Sequence, residues 1–136
     1  MSTTAMDVVR AFVGAINRRS PTDIADLMTA DHMFVDSAGG VMAGREKMTG
    51  AWKEYFRLFP DYSIRIESIL DDGPLVAVFG IASGTYSGKR GPVAANRIEM
   101  PAAWRAVVED DRVKLWQVYA DWTEGHRIIA EDARAG

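Results

Sequence analysis

The chain contains no cysteine and only two histidines, His32 and His126. Without thiols there are no disulfides, no thiolate nucleophile and no cysteine ligands for a metal. The histidines lie far apart and neither has a partner at ligand spacing, so no metal site is expected. His32, beside Asp31 at the start of a strand, is expected to be exposed. Excess charge is also scarce. Sixteen basic and 19 acidic residues leave a formal net charge of -3. With Lys89-Arg90 as the one basic cluster, that balance points away from nucleic acid and from anionic membranes. "SGKRG" lacks the glycine spacing of a phosphate loop and has Arg90 where a hydroxyl would hold magnesium. No apolar run reaches membrane-spanning length, and "MSTTAMDVVR" lacks the apolar core of a signal peptide. A cytoplasmic location is the expectation.

What is present is enough apolar sequence for one core. Hydrophobic residues make up 48% of 136, which suits a single domain over residues 1–136. In residues 4–18, Val8, Val9, Phe12, Val13 and Ile16 recur at helical spacing. Ser20-Pro21-Thr22-Asp23 reads as a helix start, with Ser20 as cap and Pro21 in the first turn. Residues 32–36 read as a short strand, and "GGVMAG" as a turn with a brief extended piece. Residues 45–59 predict a third helix with Met48, Trp52, Tyr55, Phe56 and Phe59 on one broad face. After Pro60 the period changes to alternation. Residues 62–70, 75–87, 97–108 and 113–121 predict four strands, separated by "DDGP", "SGKRGP" and "EDD". Residues 123–133 read as a short terminal helix or a partly frayed tail. Helices followed by a strand meander define an α+β class.

Two acids stand out. Asp36 follows Phe34 and Val35 and precedes the "SAGG" turn. It can be a turn former that accepts backbone amides, or a carboxylate presented to a cavity. Asp121 ends the last strand and can cap the following helix. Alternation places Trp116, Val118 and Ala120 on one face, assigned to the pocket, and Gln117, Tyr119 and Asp121 on the other. Asp121 reaches a cavity only through a bulge or bend. Trp52 and Phe56 on the third helix, with Trp104 and Trp116 on the last two strands, offer flat apolar surface for a ring-shaped ligand. By the same alternation Arg105 points away from the pocket, towards an acid on a neighbouring strand.

The segments "ADHMFVDSAGGVMAGREKM", "FPDYSI", "SGTYSG" and "RVKLWQVYADW", in this order on three helices and four strands, resemble the nuclear transport factor 2-like superfamily. Within it they are similar to the SnoaL-like polyketide cyclases and ketosteroid isomerases. The resemblance implies a cone-shaped α+β barrel, in which a curved antiparallel sheet and three N-terminal helices enclose an apolar pocket. It also implies a homodimer through the outer sheet face, and acid–base chemistry on a small apolar molecule without a metal or organic cofactor. Asp36 matches the position of the general-base aspartate of the isomerases, where an apolar cavity leaves the anion poorly solvated and so a better base. Asp121 matches the aspartate that closes many SnoaL-like domains. Tyr86, in "SGTYSG", stands where some relatives place a histidine. The implied ligand contacts are Trp52, Tyr55, Phe56, Tyr86, Trp104 and Trp116. The isomerases' oxyanion donors match Phe12 and Trp104, neither of which donates strongly to an enolate. The Asp-Arg-Asp set of limonene-type epoxide hydrolases has its last acid at Val118. Isomerisation or intramolecular aldol closure of a cyclic or polyketide substrate is the expected reaction. A non-catalytic pocket for an apolar ligand is the alternative.

Overall fold

The computed structural model of the chain describes residues 3–135. Helix α1 (Ala5–Asn17) begins at a capping box: the Asp7 amide donates to Thr4 Oγ1 at 3.0 Å, and the Thr4 amide donates to Asp7 Oδ2 at 3.2 Å. All five residues of its predicted stripe are buried. Ser20 caps α2 (Pro21–Asp26), accepting from the Asp23 amide at 3.2 Å. Strand β1 (Met28–Val35) is longer than the pentapeptide predicted, and β2 (Val41–Ala43) is the brief extended piece. Helix α3 (Arg45–Leu58) is followed by β3 (Ser63–Asp72), β4 (Leu75–Thr85), β5 (Arg97–Glu109), β6 (Arg112–Ala120) and helix α4 (Thr123–Arg134).

The six strands form one sheet in the order β2-β1-β6-β5-β4-β3. The sheet is curved and unclosed, with β2 and β3 at its edges, and it differs from the expectation in one pairing. β1 runs parallel to β6, so the sheet is mixed and not purely antiparallel. The reason is connectivity: α3 carries the chain across between β2 and the meander, so β1 joins the meander at its far strand. Bulges between Ile66 and Ser68, and between Val107 and Val108, interrupt the ladders and bend the long strands. Residues Val76, Val78 and Ala82 of β4, Met100, Trp104 and Ala106 of β5, and Val113 and Trp116 of β6 face the core. Helix α1 lies across this inner face. At the open edge, Asn17 stands in for a neighbouring strand. Its Nδ2 donates to the Ile64 carbonyl at 2.9 Å, and the Ile64 amide donates to its Oδ1 at 2.7 Å.

Two sequence expectations are corrected here. His32 is 0% exposed, held inside by Nδ1 at 2.6 Å from the Val113 carbonyl and packed beside Phe12. Arg105 does point outward, but its cross-strand neighbours are Ala77 and Gln117, not acids. The terminal segment is a full helix with an anchor. Asp132, 1% exposed, accepts from the Lys89 amide (2.6 Å), the Arg90 amide (3.1 Å), Arg90 Nε (3.0 Å) and Asn96 Nδ2 (3.1 Å). Burial works against this anion, but the bonds from Arg90, Asn96 and the two amides outweigh it and bring its pKa down to about 2. Among the described residues no helix is long and apolar enough to cross a membrane.

Candidate active site

Between α3 and the inner face of the sheet lies a cavity of about 250 Å³. Helix α3 supplies Met48, Trp52 and Tyr55, which fall on one face because their spacing is four and three residues. The strands supply the facing wall through alternate positions: Met100 and Trp104 on β5, Trp116 and Val118 on β6. Trp104 and Trp116 are stacked, with centroids 6.0 Å apart and planes 17° apart. The assignment of Trp116, Val118 and Ala120 to the pocket face agrees with the lining, whereas Tyr119, on the opposite face, is exposed.

Asp36 lies at the cavity mouth with Ser37, and both are exposed. Its Oδ1 accepts from the amides of Ala38 (2.9 Å) and Gly40 (2.8 Å). The Asp36 amide donates to the Gly40 carbonyl at 2.9 Å, closing the turn. A Cβ at Gly40 would lie 2.6 Å from Asp36 Oδ2, so a larger residue there would displace that side chain. Asp36 is therefore both a turn former and a cavity residue. Its carboxylate is exposed at the mouth and not sunk among apolar side chains. Two amides fix one oxygen and leave Oδ2 for other work.

The other site residues divide. Trp52, Tyr55, Trp104 and Trp116 all line the cavity. Phe56 lies outside the lining and stacks on Trp52 at 5.4 Å, which holds that ring in place. Tyr86 is also outside, packed on Phe59 at 5.6 Å. Asp121 does not reach the cavity. Its Oδ1 accepts from the Thr123 hydroxyl (2.6 Å) and amide (2.9 Å), and these bonds lower its pKa. It organises the entry to α4, and it faces away from the pocket as alternation implied.

Sequence reasoning missed Tyr62 and Trp122 as wall residues. Tyr62 precedes β3, and its ring meets that of Tyr55 edge-on at 4.9 Å. Burial raises both phenol pKa values, so both hydroxyls stay protonated across the neutral range. The "FPDYSI" segment held the signal for Tyr62: an aromatic at the head of the predicted strand 62–70. Trp122, the fourth tryptophan, lies past the last strand, where alternation assigns no face. The turn at Asp121 carries it back over the cavity.

The SnoaL-like domain model matches residues 9–116, and the chain belongs to that family. No curated protein matches it in sequence. Solved structures share the fold. A hypothetical protein from Catenulispora acidiphila with a ketosteroid isomerase-like fold, in complex with trimethylamine, is 21% identical, with 96% of this chain and 95% of that one covered and a TM-score of 0.78. IdmH of Streptomyces antibioticus, described provisionally as a polyketide cyclase, is 21% identical, with 94% and 99% covered and a TM-score of 0.77. An LEH-like epoxide hydrolase of M. tuberculosis is 16% identical, with 96% and 92% covered and a TM-score of 0.77.

Proposed function

We propose that this protein is an acid–base enzyme of the SnoaL-like type, acting without a cofactor on a small, apolar, cyclic carbonyl compound such as a polyketide. The observation that carries the reading is one carboxylate, Asp36, at the mouth of a cavity walled by aromatic rings. A flat ring slides between Trp52 and the Trp104–Trp116 pair. Asp36 Oδ2 takes a proton from the carbon next to the carbonyl. The C–H electrons pass to the carbonyl oxygen as an enolate. Asp36 then returns the proton to another carbon, giving isomerisation, or to the alkoxide formed when the enolate attacks a second carbonyl, giving ring closure. Membership of the SnoaL-like family and the fold shared with IdmH support this class. The epoxide hydrolase reading has less support: among the described residues the lining contains no arginine and no acid besides Asp36. We further propose that the protein is a homodimer and works in the cytoplasm.

A second reading is favoured by the turn itself. Two amides already occupy Asp36 Oδ1 and the side chain is exposed, as in a carboxylate kept for structure in a binding protein. Deuterium exchange separates the two. The α-protons of 1-tetralone, a bicyclic aryl ketone, are expected to exchange faster with the protein than in buffer. Asp36→Asn is expected to reduce that gain by roughly a hundredfold or more, while tetralone binding persists. Exchange unaffected by Asp36→Asn would leave the protein a binder.

A further inference from the structure

The cavity wall made by α3 and the start of β3 is rich in hydrogen-bond donors. Tyr55 and Tyr62 both line it, and their rings meet edge-on with centroids 4.9 Å apart. Two hydroxyls carry two protons, and a bond between the two would use only one. At least one O–H is therefore left to point at whatever fills the cavity. Trp52 lies in the same wall, and its indole N–H is enclosed without an acceptor. An indole N–H and a phenol can donate, and buried donors find acceptors in most proteins. Among the described residues no lining side chain is an amide or a cation, and the one lining carboxylate is Asp36, at the mouth.

We propose that the Tyr55–Tyr62 pair is the polar anchor of the cavity and donates a hydrogen bond to a ligand's carbonyl, quinone or enolate oxygen. This rests on the reading of the cavity as a site for a ring-shaped carbonyl compound, and it specifies which part of that compound is recognised and where. It also gives the chain a donor that is absent at Phe12 and Trp104. Because burial keeps both phenols neutral, the anchor donates to a neutral carbonyl and, more strongly, to the enolate that Asp36 would generate. Tyr62 is held by its place next to β3 and Tyr55 by α3, so the pair is preorganised by two separate elements.

The test compares 1-tetralone with tetralin, which has the same fused rings and no oxygen. Binding is read by calorimetry, and the tetralone C=O stretch by infrared difference spectroscopy. Wild-type protein is expected to bind tetralone more tightly than the area-matched tetralin and to lower its C=O frequency. Tyr55→Phe and Tyr62→Phe keep the rings. In the double variant the affinity for tetralone is expected to fall roughly two- to tenfold, as for one lost hydrogen bond. Tetralin binding stays constant and the frequency shift disappears. Ser37→Ala, at the mouth, is expected to change neither. Equal affinity for the two compounds, with an unshifted C=O band, would overturn the anchor alone. A frequency shift that survives the double variant, or that is lost in Ser37→Ala instead, would also overturn it. A wild-type protein that binds neither compound would overturn the anchor together with the ring-binding reading. Loss of exchange in Asp36→Asn with normal tetralone binding leaves the anchor standing.

Discussion

At the scale of single residues, His32 shows what burial does to a titratable group. The Val113 carbonyl can only accept, so Nδ1 carries the proton and Nε2 holds the lone pair. Nε2 is buried without a partner. Desolvation is the largest influence and lowers the pKa from 6.5, against smaller raising effects of the Val113 contact and Asp31. The sign follows from linkage. Below pH 6.5 the unfolded chain takes up a proton that the folded chain refuses, so stability is whole above pH 6.5 and declines as the pH falls below it. The steepest slope one such group can impose is about 1.4 kcal/mol per pH unit. Denaturant melts of the wild type at pH 7.5, 6.5 and 5.5 are expected to show this decline. His32→Gln, less stable at pH 7.5, is expected to show a flatter profile over the same range. A wild-type profile already flat between pH 7.5 and 5.5 would contradict the buried neutral imidazole. The sequence pointed the other way: an isolated histidine beside an aspartate looks solvent-facing, and only the long β1, turned onto α1, buries it.

At the scale of elements, periodicity and caps were legible because they are local. The α1 stripe, the Ser20 cap and the four long strands were all readable to within a few residues. Features made by distant partners were not. Nothing near Asp132 signals that Lys89, Arg90 and Asn96 will surround it. The cavity face of β6 was legible through alternation, but Tyr62 and Trp122 were not assigned to the wall: Tyr62 heads its predicted strand, Trp122 follows the last one, and their place at the cavity depends on how distant elements meet. Gly80 is another such case, reading as an ordinary strand glycine. In the fold it faces the β3 bulge, where a Cβ would fall 2.0 Å from the Arg65 carbonyl oxygen. That atom belongs to the backbone and cannot rotate away. Gly80→Ala is therefore expected to cost about 3 kcal/mol or to prevent folding. Gly50→Ala on α3, with open space around it, is expected to be neutral or stabilising. Chemical denaturation of the two variants checks the contrast, and a Gly80→Ala protein as stable as wild type would mean that β3 and β4 pair without this contact.

At the scale of the molecule, the two faces of the sheet have different fates. One is covered by α1 and α3 and holds the cavity. The other carries cross-strand rows that the registers define. Phe79, Ala103 and Tyr119 lie side by side across β4, β5 and β6, as do Leu75, Val107 and Leu115. Phe79 is 45% exposed and Tyr119 49%. Between these rows run Ala77, Arg105 and Gln117, so the surface alternates apolar and polar bands, as a sheet-to-sheet interface between soluble protomers does. Among the described residues no helix covers it. A second copy placing the same bands against these would bury the two aromatic side chains and keep the polar band hydrogen-bonded, in the isologous arrangement typical of twofold dimers. The proposed dimer needs roughly 800 Å² from each protomer. Light scattering after size exclusion at tens of micromolar is expected to give twice the 15.0 kDa chain mass. Phe79→Lys with Tyr119→Lys would place like charges in the middle of the interface, and is expected to give a folded monomer with an unchanged cavity. Its tetralone affinity then reports whether the cavity depends on the partner. A wild-type protein that runs as a monomer at that concentration would show that this face meets solvent, and that Phe79 and Tyr119 are exposed for another reason.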